Sequence, residues 1–365
     1  MFRKDDGAGE KWNFSYSSSD PCLAKWQGIT CLNSSNVSFV ASLELPKYGL
    51  NGTIPSSIAN LSNLEKLYLD DNYLIGTVPS SIGNLLKLKR LNFSTNYLSG
   101  TIPSSIGNLS NLDYLDLDQN NLIGTIPMTI GNLLKLEQLD LDSNYLSGTI
   151  PSSIENLSNL EVLILDSNYL TGTIPSFIGK LSNLEHLDLD DNYLNGTILS
   201  SIGNLSNLNY LDLYNNYLSG TIPLSIGNMS NLEYLDLDDN YLIGTIPSSI
   251  GNLLKLEFLD LSSNMLGPIL PNEIGNLNLL RNVFLQNNKF SGLILPLTSP
   301  VLETYDVRSN EFTGRIPSSL FTLKSLKALS VSDNCLSTDL SHIVDCHLNS
   351  TIESLFLVGI GQNTR

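Results

Sequence analysis

The stretch LDLDDNYLIGTIP, from Leu235 to Pro247, contains the pattern that decides the fold. In an extended strand Leu235 and Leu237 share one face, while the aspartates between and after them share the other. Asn240 follows this strand, and a glycine and a proline further on favour a bend of the chain. The stretch therefore predicts a short strand with one buried face, followed by a turn.

The same pattern recurs along the chain with a period of 24 residues. A leucine opens the successive units at Leu64, Leu88, Leu112, Leu136, Leu160, Leu184, Leu208, Leu232, Leu256 and Leu280. Val40 begins an earlier unit, and Leu302 and Leu326 begin two more after one shortened unit, which gives about thirteen. One such coil cannot bury its own leucines, whereas stacked coils can. The sequence therefore predicts an α/β repeat solenoid with a parallel β-sheet along one side.

An asparagine occupies one fixed position in these units. It is found at Asn72, Asn96, Asn120, Asn144, Asn168, Asn192, Asn216, Asn240, Asn264, Asn288, Asn310 and Asn334. A side-chain amide offers two N–H donors and an oxygen acceptor. We expect this amide to satisfy buried backbone groups where the chain leaves the sheet.

The acidic run that begins at Asp236 looks like the start of a calcium-binding loop. An EF-hand loop needs Gly at its sixth position and Glu at its twelfth, and these positions hold Tyr241 and Pro247. The three histidines show no metal-ligand spacing, and no G-x-S-x-G motif occurs. We therefore expect no catalytic residues, no metal and no cofactor.

The net charge and the hydropathy of the chain limit the classes of binding partner and of membrane association. The formal net charge of −17 argues against nucleic acid and anionic membranes, and it permits basic proteins or peptides. The first residues, MFRKDDGAGEKWNF, contain no apolar run of signal-peptide length, and LFLVGIG at 355–361 is too short to span a bilayer. We expect no membrane-spanning segment and no signal peptide within this chain.

The four cysteines form two local pairs, Cys22 with Cys31 and Cys335 with Cys346, which flank a cysteine-free middle. This arrangement predicts two disulfide-closed caps and an oxidising compartment. The alternative is four free thiols in a cytosolic chain. We expect an extracellular or cell-surface protein.

Two motifs resemble the plant-type extracellular leucine-rich repeat family, which includes receptor-like ectodomains and polygalacturonase inhibitors. They are LxGxIPxxIGxL, as in Leu242–Leu253, and the cap-like DPCLAKWQGITC at 20–31, with Trp12 upstream. The resemblance implies a right-handed superhelix of about 13 repeats, a concave parallel sheet, and an interaction surface rather than an active site. Departures from the pattern are Leu199 in place of a proline, Pro268 in place of a glycine, and a wider cysteine spacing in the cap.

The same resemblance suggests domain boundaries. We expect a disordered tail at 1–11, an N-terminal cap at 12–39, the repeat array at 40–335, and a C-terminal cap and tail at 336–365.

The concave face contains two columns of aspartates beside an edge of aromatic residues. The first column holds Asp116, Asp140, Asp188, Asp212, Asp236 and Asp260, and the second includes Asp118, Asp142, Asp166, Asp190 and Asp238. The edge holds Tyr114, His186, Tyr210, Tyr234 and Phe258. One interpretation is a docking strip for a basic partner, and the other is a solvated face copied by duplication. Carboxylates about 4.8 Å apart repel, so we expect raised aspartate pKa values.

Three further features are candidates for function. Arg281, Phe284 and Arg308 differ from their equivalents in other units and could discriminate between ligands. Asn60, Asn108, Asn156 and Asn204 begin Asn-Leu-Ser glycosylation signals that should face solvent on the return side. A second row, which includes Tyr73, Tyr97 and Tyr145, is expected to pack rather than to bind planar or carbohydrate ligands.

The sequence thus predicts a non-catalytic recognition module that binds protein or peptide on its concave face. Two alternatives remain open: an inhibitor of a cell-wall polygalacturonase, and the ectodomain fragment of a receptor-like kinase.

Overall fold

The computed structural model describes residues 20–23, 25–34 and 37–337, together with the strands Arg3–Lys4 and Ser354–Phe356. The chain divides into two compact units, Met1–Thr171 (unit 1) and Gly172–Arg365 (unit 2). Each unit is a stack of coils, and each coil contributes a strand to a long parallel sheet.

The coil that begins at Leu232 shows how the sequence produces this arrangement. Strand Tyr234–Asp236 buries Leu235 completely, and strand Tyr241–Gly244 follows the turn at Asn240. Gly244 has a φ of +79°, a conformation that other residues rarely adopt. A 3-10 turn at Ser248–Asn252 then returns the chain, and its apolar side chains are buried with those of the strands. The predicted strand and bend are confirmed.

Unit 1 contains a long sheet, a side sheet and a row of 3-10 turns. The long-sheet strands are Ile29–Ser34, Val37–Glu44, Lys66–Tyr68, Arg90–Asn92, Tyr114–Asp116, Gln138–Asp140 and Val162–Ile164. The side-sheet strands are Arg3–Lys4, Leu50–Thr53, Tyr73–Thr77, Tyr97–Gly100, Asn121–Gly124, Tyr145–Gly148 and Tyr169–Thr173, the last of which crosses the unit boundary. The turns are Ser56–Asn60, Ser80–Asn84, Ser104–Asn108, Met128–Asn132 and Ser152–Asn156.

Unit 2 repeats this architecture, with its side sheet in two parts. The long-sheet strands are His186–Asp188, Tyr210–Asp212, Tyr234–Asp236, Phe258–Asp260, Asn282–Phe284, Thr304–Asp306, Ala328–Ser330 and Ser354–Phe356. The side strands are Tyr193–Thr197, Tyr217–Gly220, Tyr241–Gly244 and Met265–Leu266, followed by the separate group Ser291–Leu293, Glu311–Gly314 and Cys335–Leu336. The turns are Ser176–Lys180, Ser200–Asn204, Leu224–Asn228, Ser248–Asn252, Asn272–Asn276 and Ser318–Thr322.

The asparagine row satisfies buried backbone groups as predicted, and these groups belong in part to the preceding coil. Asn96 Nδ2 donates to the carbonyl of Leu69 in the preceding coil at 2.9 Å, and its Oδ1 accepts the backbone N–H of Leu74 at 2.9 Å. Asn120 and Asn144 repeat both contacts with their own preceding coils. The amide therefore satisfies backbone groups that a three-residue strand leaves unpaired.

Proline and glycine position the return segments. A proline in extended conformation precedes most of the turns, and Leu199 adopts the same conformation (φ −75°, ψ 150°), so this departure leaves the turn intact. Gly107 lies against the next coil, where a Cβ atom would come 2.3 Å from the carbonyl oxygen of Thr129. Glycine at this position therefore lets these two coils lie close together, although Ala59 and Glu155 occupy the equivalent position in other turns. The other departure, Pro268, follows Gly267 through a cis peptide bond at the break in the side sheet.

The N-terminal cap region contains the predicted disulfide between Cys22 and Cys31. Cys346, the predicted partner of Cys335, lies outside the described residues, so the second disulfide stays a prediction. Of the segment predicted as a disordered tail, Arg3–Lys4 pairs antiparallel with Leu50–Thr53. Within the described residues, no helix has the length and apolarity needed to cross a membrane.

Candidate functional site

Four aromatic rings form a parallel stack along the long sheet of unit 2. The ring centroids of His186 and Tyr210 are 4.0 Å apart, and those of Tyr210 and Tyr234 are 4.3 Å apart. Phe258 continues the stack 4.4 Å beyond Tyr234, and the interplanar angles are 10° or less. Each ring belongs to the first residue of a strand, and the strands pair in register. The repeat period therefore produces the stack directly.

A row of aspartates lies two residues further along the same strands. The hydroxyl of Tyr210 donates to Asp212 Oδ2 at 3.1 Å, and that of Tyr234 donates to Asp236 Oδ2 at 3.2 Å. The other oxygen of each carboxylate accepts a backbone N–H, from Tyr214 in one case and from Asp238 in the other. The aspartate–aromatic strip consists of the rings of His186, Tyr210, Tyr234 and Phe258 with Asp188, Asp212, Asp236 and Asp260.

These carboxylates are more deeply buried than a solvated face would allow. Asp212 is 4% exposed and Asp236 is 8% exposed. Burial raises the pKa of Asp236 to about 8, with the charges of Asp212 and Asp260 adding to the effect. Burial raises the pKa of Asp260 to about 6. The expected direction is correct, but the main cause is loss of water rather than mutual repulsion.

The strip ends at the divergent coils. The ring of Phe284 is tilted by 50° against that of Phe258, at a centroid distance of 5.7 Å. Arg281 lies between two carboxylates, with its guanidinium 3.1 Å from Glu257 Oε2 and 3.2 Å from Glu303 Oε1.

Arg308 holds the buried carboxylate of Asp306 through two guanidinium nitrogens, at 2.8 Å and 2.7 Å from Asp306 Oδ2. Asp306 was not among the sequence candidates. The two arginines singled out from the sequence are thus engaged in intramolecular ion pairs, and Phe284 is the apolar limit of the strip.

Unit 1 contains a separate acidic cluster, formed by Asp116, Asp118, Asp140 and Asp142. Tyr114 donates its hydroxyl to Asp116 Oδ2 at 2.8 Å, as its counterparts do in unit 2. Burial raises the pKa of Asp140 to about 8 and that of Asp118 to about 7, and neighbouring carboxylates add to both shifts. Asp116, Asp118 and Asp140 each offer an oxygen within 4.8 Å of the others.

A small cavity of about 100 Å³ opens beside Tyr114 in unit 1. Its lining combines carboxylates with an arginine and apolar atoms: Arg90, Asp113, Tyr114, Glu137, Gln138, Glu161 and Val162. The sequence reasoning missed it. The only signal is Val162, which replaces the aromatic or polar residue at this position and leaves space between longer side chains.

The second tyrosine row packs along the side sheets. The rings of Tyr73 and Tyr97 lie 6.3 Å apart at 12°, and those of Tyr217 and Tyr241 lie 6.0 Å apart at 9°. The rings are parallel, yet Tyr73 is 58% exposed and Tyr241 is 52% exposed. The packing interpretation of this row stays a prediction.

The glycosylation candidates all lie at the ends of 3-10 turns. Asn60, Asn108, Asn156 and Asn204 are exposed there. Asn228 occupies the same place, is also exposed and begins Asn-Met-Ser. Its motif is an acceptor signal in the sequence, and it differs from the four Asn-Leu-Ser sites only in its middle residue.

Comparison with known protein families identifies the repeats that build this surface. A family model described as a leucine-rich repeat region matches residues 97–193 and 187–291, and a leucine rich repeat model matches residues 62–122. The chain belongs to the leucine-rich repeat family. Its repeats are of the plant extracellular type, because its solved structural relatives include ectodomains of plant receptors.

Two of these structures are receptors with bound ligands. The plant peptide hormone receptor RGFR1 in complex with RGF2 is 37% identical, with a TM-score of 0.76 over 86% of this leucine-rich repeat chain and 54% of that chain. The ectodomain of GASSHO1/SCHENGEN3 from Arabidopsis thaliana, in complex with CASPARIAN STRIP INTEGRITY FACTOR 2, is 35% identical. Its TM-score is 0.74, over 87% of this chain and 41% of that one.

A nodulation receptor kinase of Pisum sativum is 38% identical over 63 residues, which is 17% of this chain and 6% of that protein. The leucine-rich repeat chain therefore spans about half of the solved receptor ectodomains and a small part of this kinase.

Proposed function

We propose that the chain is a non-catalytic recognition module that binds an extended peptide or protein segment carrying basic residues, along the aspartate–aromatic strip of unit 2. The observation that carries this proposal is the continuous row of partly buried carboxylates beside four stacked rings.

The strip offers two kinds of contact to such a ligand. Each carboxyl group accepts one or two hydrogen bonds from its own coil, and an approaching lysine or arginine side chain would favour the ionised form that burial disfavours. The edges of the rings offer apolar contact along the same line. Phe284 and the paired Arg281 end the acidic row, so a bound segment has a defined limit.

The comparisons support the same proposal. RGFR1 and GASSHO1/SCHENGEN3 are receptors solved with their ligands, and the chain shares their repeats. The disulfide between Cys22 and Cys31 fits an oxidising compartment. We place the chain outside the cell, as a secreted or cell-surface protein, and the binding partner is a protein or peptide.

Binding of a synthetic peptide of alternating lysine and serine, measured by calorimetry, tests this function. The double variant Asp212→Asn, Asp236→Asn should weaken binding about tenfold or more, which corresponds to about 1.4 kcal/mol. The control Asp191→Asn, Asp239→Asn removes the same charge from exposed turn positions of the same unit and should change binding little. Equal losses in both variants, or equal binding of a glutamate–serine peptide, would contradict the proposal.

A further inference from the structure

The segments that follow the 3-10 turns of unit 1 alternate between two forms. The turns that end at Asn60, Asn108 and Asn156 continue with Leu-Ser-Asn, whereas those that end at Asn84 and Asn132 continue with Leu-Leu-Lys. Asn-Leu-Ser is an acceptor for N-glycosylation, and Asn-Leu-Leu is not. Acceptor coils therefore lie on both sides of each leucine coil.

Hydrogen bonds between coils follow this alternation in part, since Asn207 and Asn231 donate in the same way to the carbonyl oxygens of Ser182 and Ser206. Lys135 Nζ donates to Asn111 Oδ1 at 2.8 Å, and Asn111 Nδ2 donates to the carbonyl oxygen of Leu86 at 2.9 Å. Lys87 and Asn159 make the corresponding bonds with Asn63 and Leu134. The amide of Asn111, between two leucine coils, thus donates to one of them and accepts from the lysine of the other.

The alternation leaves leucines exposed beside the acceptor sites. Leu86 is 57% exposed and Leu134 is 56% exposed, and both occupy the repeat position that holds the acceptor serine in the neighbouring coils. Coils about 5 Å apart place each leucine close to an acceptor segment on either side. Two exposed leucines on alternate coils add apolar area through which molecules could associate if nothing covered it.

We propose that Asn60, Asn108 and Asn156 carry N-linked glycans, and that these glycans cover Leu86 and Leu134 and close this ridge to protein association. In the transfer, Nδ2 of the asparagine forms a bond to the anomeric carbon of an oligosaccharide held on a lipid diphosphate. The carbon–oxygen bond to the diphosphate breaks, the diphosphate leaves with the electron pair, and Nδ2 loses one proton. Asn204 and Asn228 occupy the same place in unit 2, where Leu254 is exposed one coil after Asn228.

Asn92 is the internal comparison, because it begins an acceptor motif on the long sheet of unit 1. It is half-buried, and its Oδ1 accepts the backbone N–H of Ser94 at 2.8 Å. Its lower exposure distinguishes it from the three exposed asparagines of the ridge.

The first test is site occupancy in the full chain secreted from eukaryotic cells. Release of glycans with an amidase that leaves aspartate marks each occupied asparagine in a peptide map. We expect marked peptides at Asn60, Asn108 and Asn156 and an unmarked one at Asn92. Unmarked peptides at all three ridge positions would overturn the proposal.

The second test asks whether the attached glycans also cover Leu86 and Leu134. After enzymatic removal of the glycans from the folded protein, sedimentation should show self-association, and Leu86→Ser, Leu134→Ser should abolish it. The control Ile75→Ser, Ile123→Ser removes two equally exposed apolar side chains from the side sheet and should leave self-association in place. If the unmodified chain stays monodisperse after glycan removal, the covering role is wrong, whatever the outcome of the peptide-binding experiment.

Discussion

The ring of Tyr210 lies parallel to that of Tyr234, with centroids 4.3 Å apart and planes inclined by 10°. Neighbouring parallel strands are about 4.8 Å apart, so the rings approach more closely than the backbones that carry them. The stack is therefore a packed structural element as well as the proposed ligand surface.

Removing one ring should separate these two roles. Tyr234→Ala should lower the free energy of unfolding, and a double-mutant cycle with Tyr210→Ala should give a coupling of about 0.5–1.5 kcal/mol, the usual value for paired rings. Tyr234→Phe retains the ring and loses only the hydrogen bond to Asp236, so it should cost about 1 kcal/mol. A coupling near zero in urea unfolding would show that the rings do not stabilise one another.

The asparagine row predicts a second result. Asn96→Ala removes the partners of the Leu69 carbonyl and the Leu74 N–H, which are buried, and should lower the free energy of unfolding by about 1–3 kcal/mol. Asn84→Ala, at the exposed end of a turn, is the matched control and should change it little. Similar midpoints of urea denaturation for the two variants would refute the bridging role.

Two glycines in equivalent positions provide a third prediction. Gly107→Ala places a methyl group 2.3 Å from the carbonyl oxygen of Thr129, so the coils must separate, at a cost of about 1–3 kcal/mol. At Gly275 a Cβ atom meets nothing within 4 Å, and Gly275→Ala should be neutral or stabilise slightly. Thermal unfolding of both variants checks the difference, and equal destabilisation would show that the space next to the glycine is unimportant.

The raised aspartate pKa values predict a stability that depends on pH. The carboxylates of Asp140 and Asp236 retain their protons up to about pH 8 in the folded state, whereas in the unfolded chain they lose them near pH 3.8. Between these limits the folded state binds more protons, so stability falls as the pH rises from 5 to 8. The lowered pKa of His186 acts in the opposite direction, and only toward the acid end of this range.

The melting temperature between pH 5 and pH 8 measures this dependence. Asp140→Asn, Asp236→Asn should flatten it, because the amide does not titrate. Glu161→Gln, Glu233→Gln removes two exposed carboxylates from the same two units and should leave it unchanged. A melting temperature that rises with pH would contradict the predicted loss of stability between pH 5 and pH 8.

The fold could be predicted from the sequence because a single 24-residue repeat determines each coil. The alternation at Leu235 and Leu237 and the fixed place of Asn240 predict the strand, its buried face and the turn, and the structure confirms each of them. The repeat places similar residues at similar positions, so one interpreted coil predicts its neighbours.

The site follows only in part, because a strand pattern gives the direction of a side chain and not its depth. Asp236 points away from the core as predicted, yet the neighbouring aromatic rings cover it and remove it from water. The sequence likewise presents Arg281 as an available charge, and only the register between coils reveals its pairing with Glu257 and Glu303. Contacts 22 and 24 residues apart decide the pairing of Arg281.

The shortened unit between Asn288 and Asn310 shows where the chain tolerates a change of length. Asn310 still donates to the carbonyl of Leu285 and accepts the N–H of Phe290, although residues 294–303, which the structure describes, form no 3-10 turn. The unit is therefore shorter only in the segment that returns the chain to the next strand. The strand and the hydrogen bonds of Asn310 keep their positions. This segment is consequently a natural splice point, at which a foreign loop or a reporter sequence could be grafted without shifting the coils on either side.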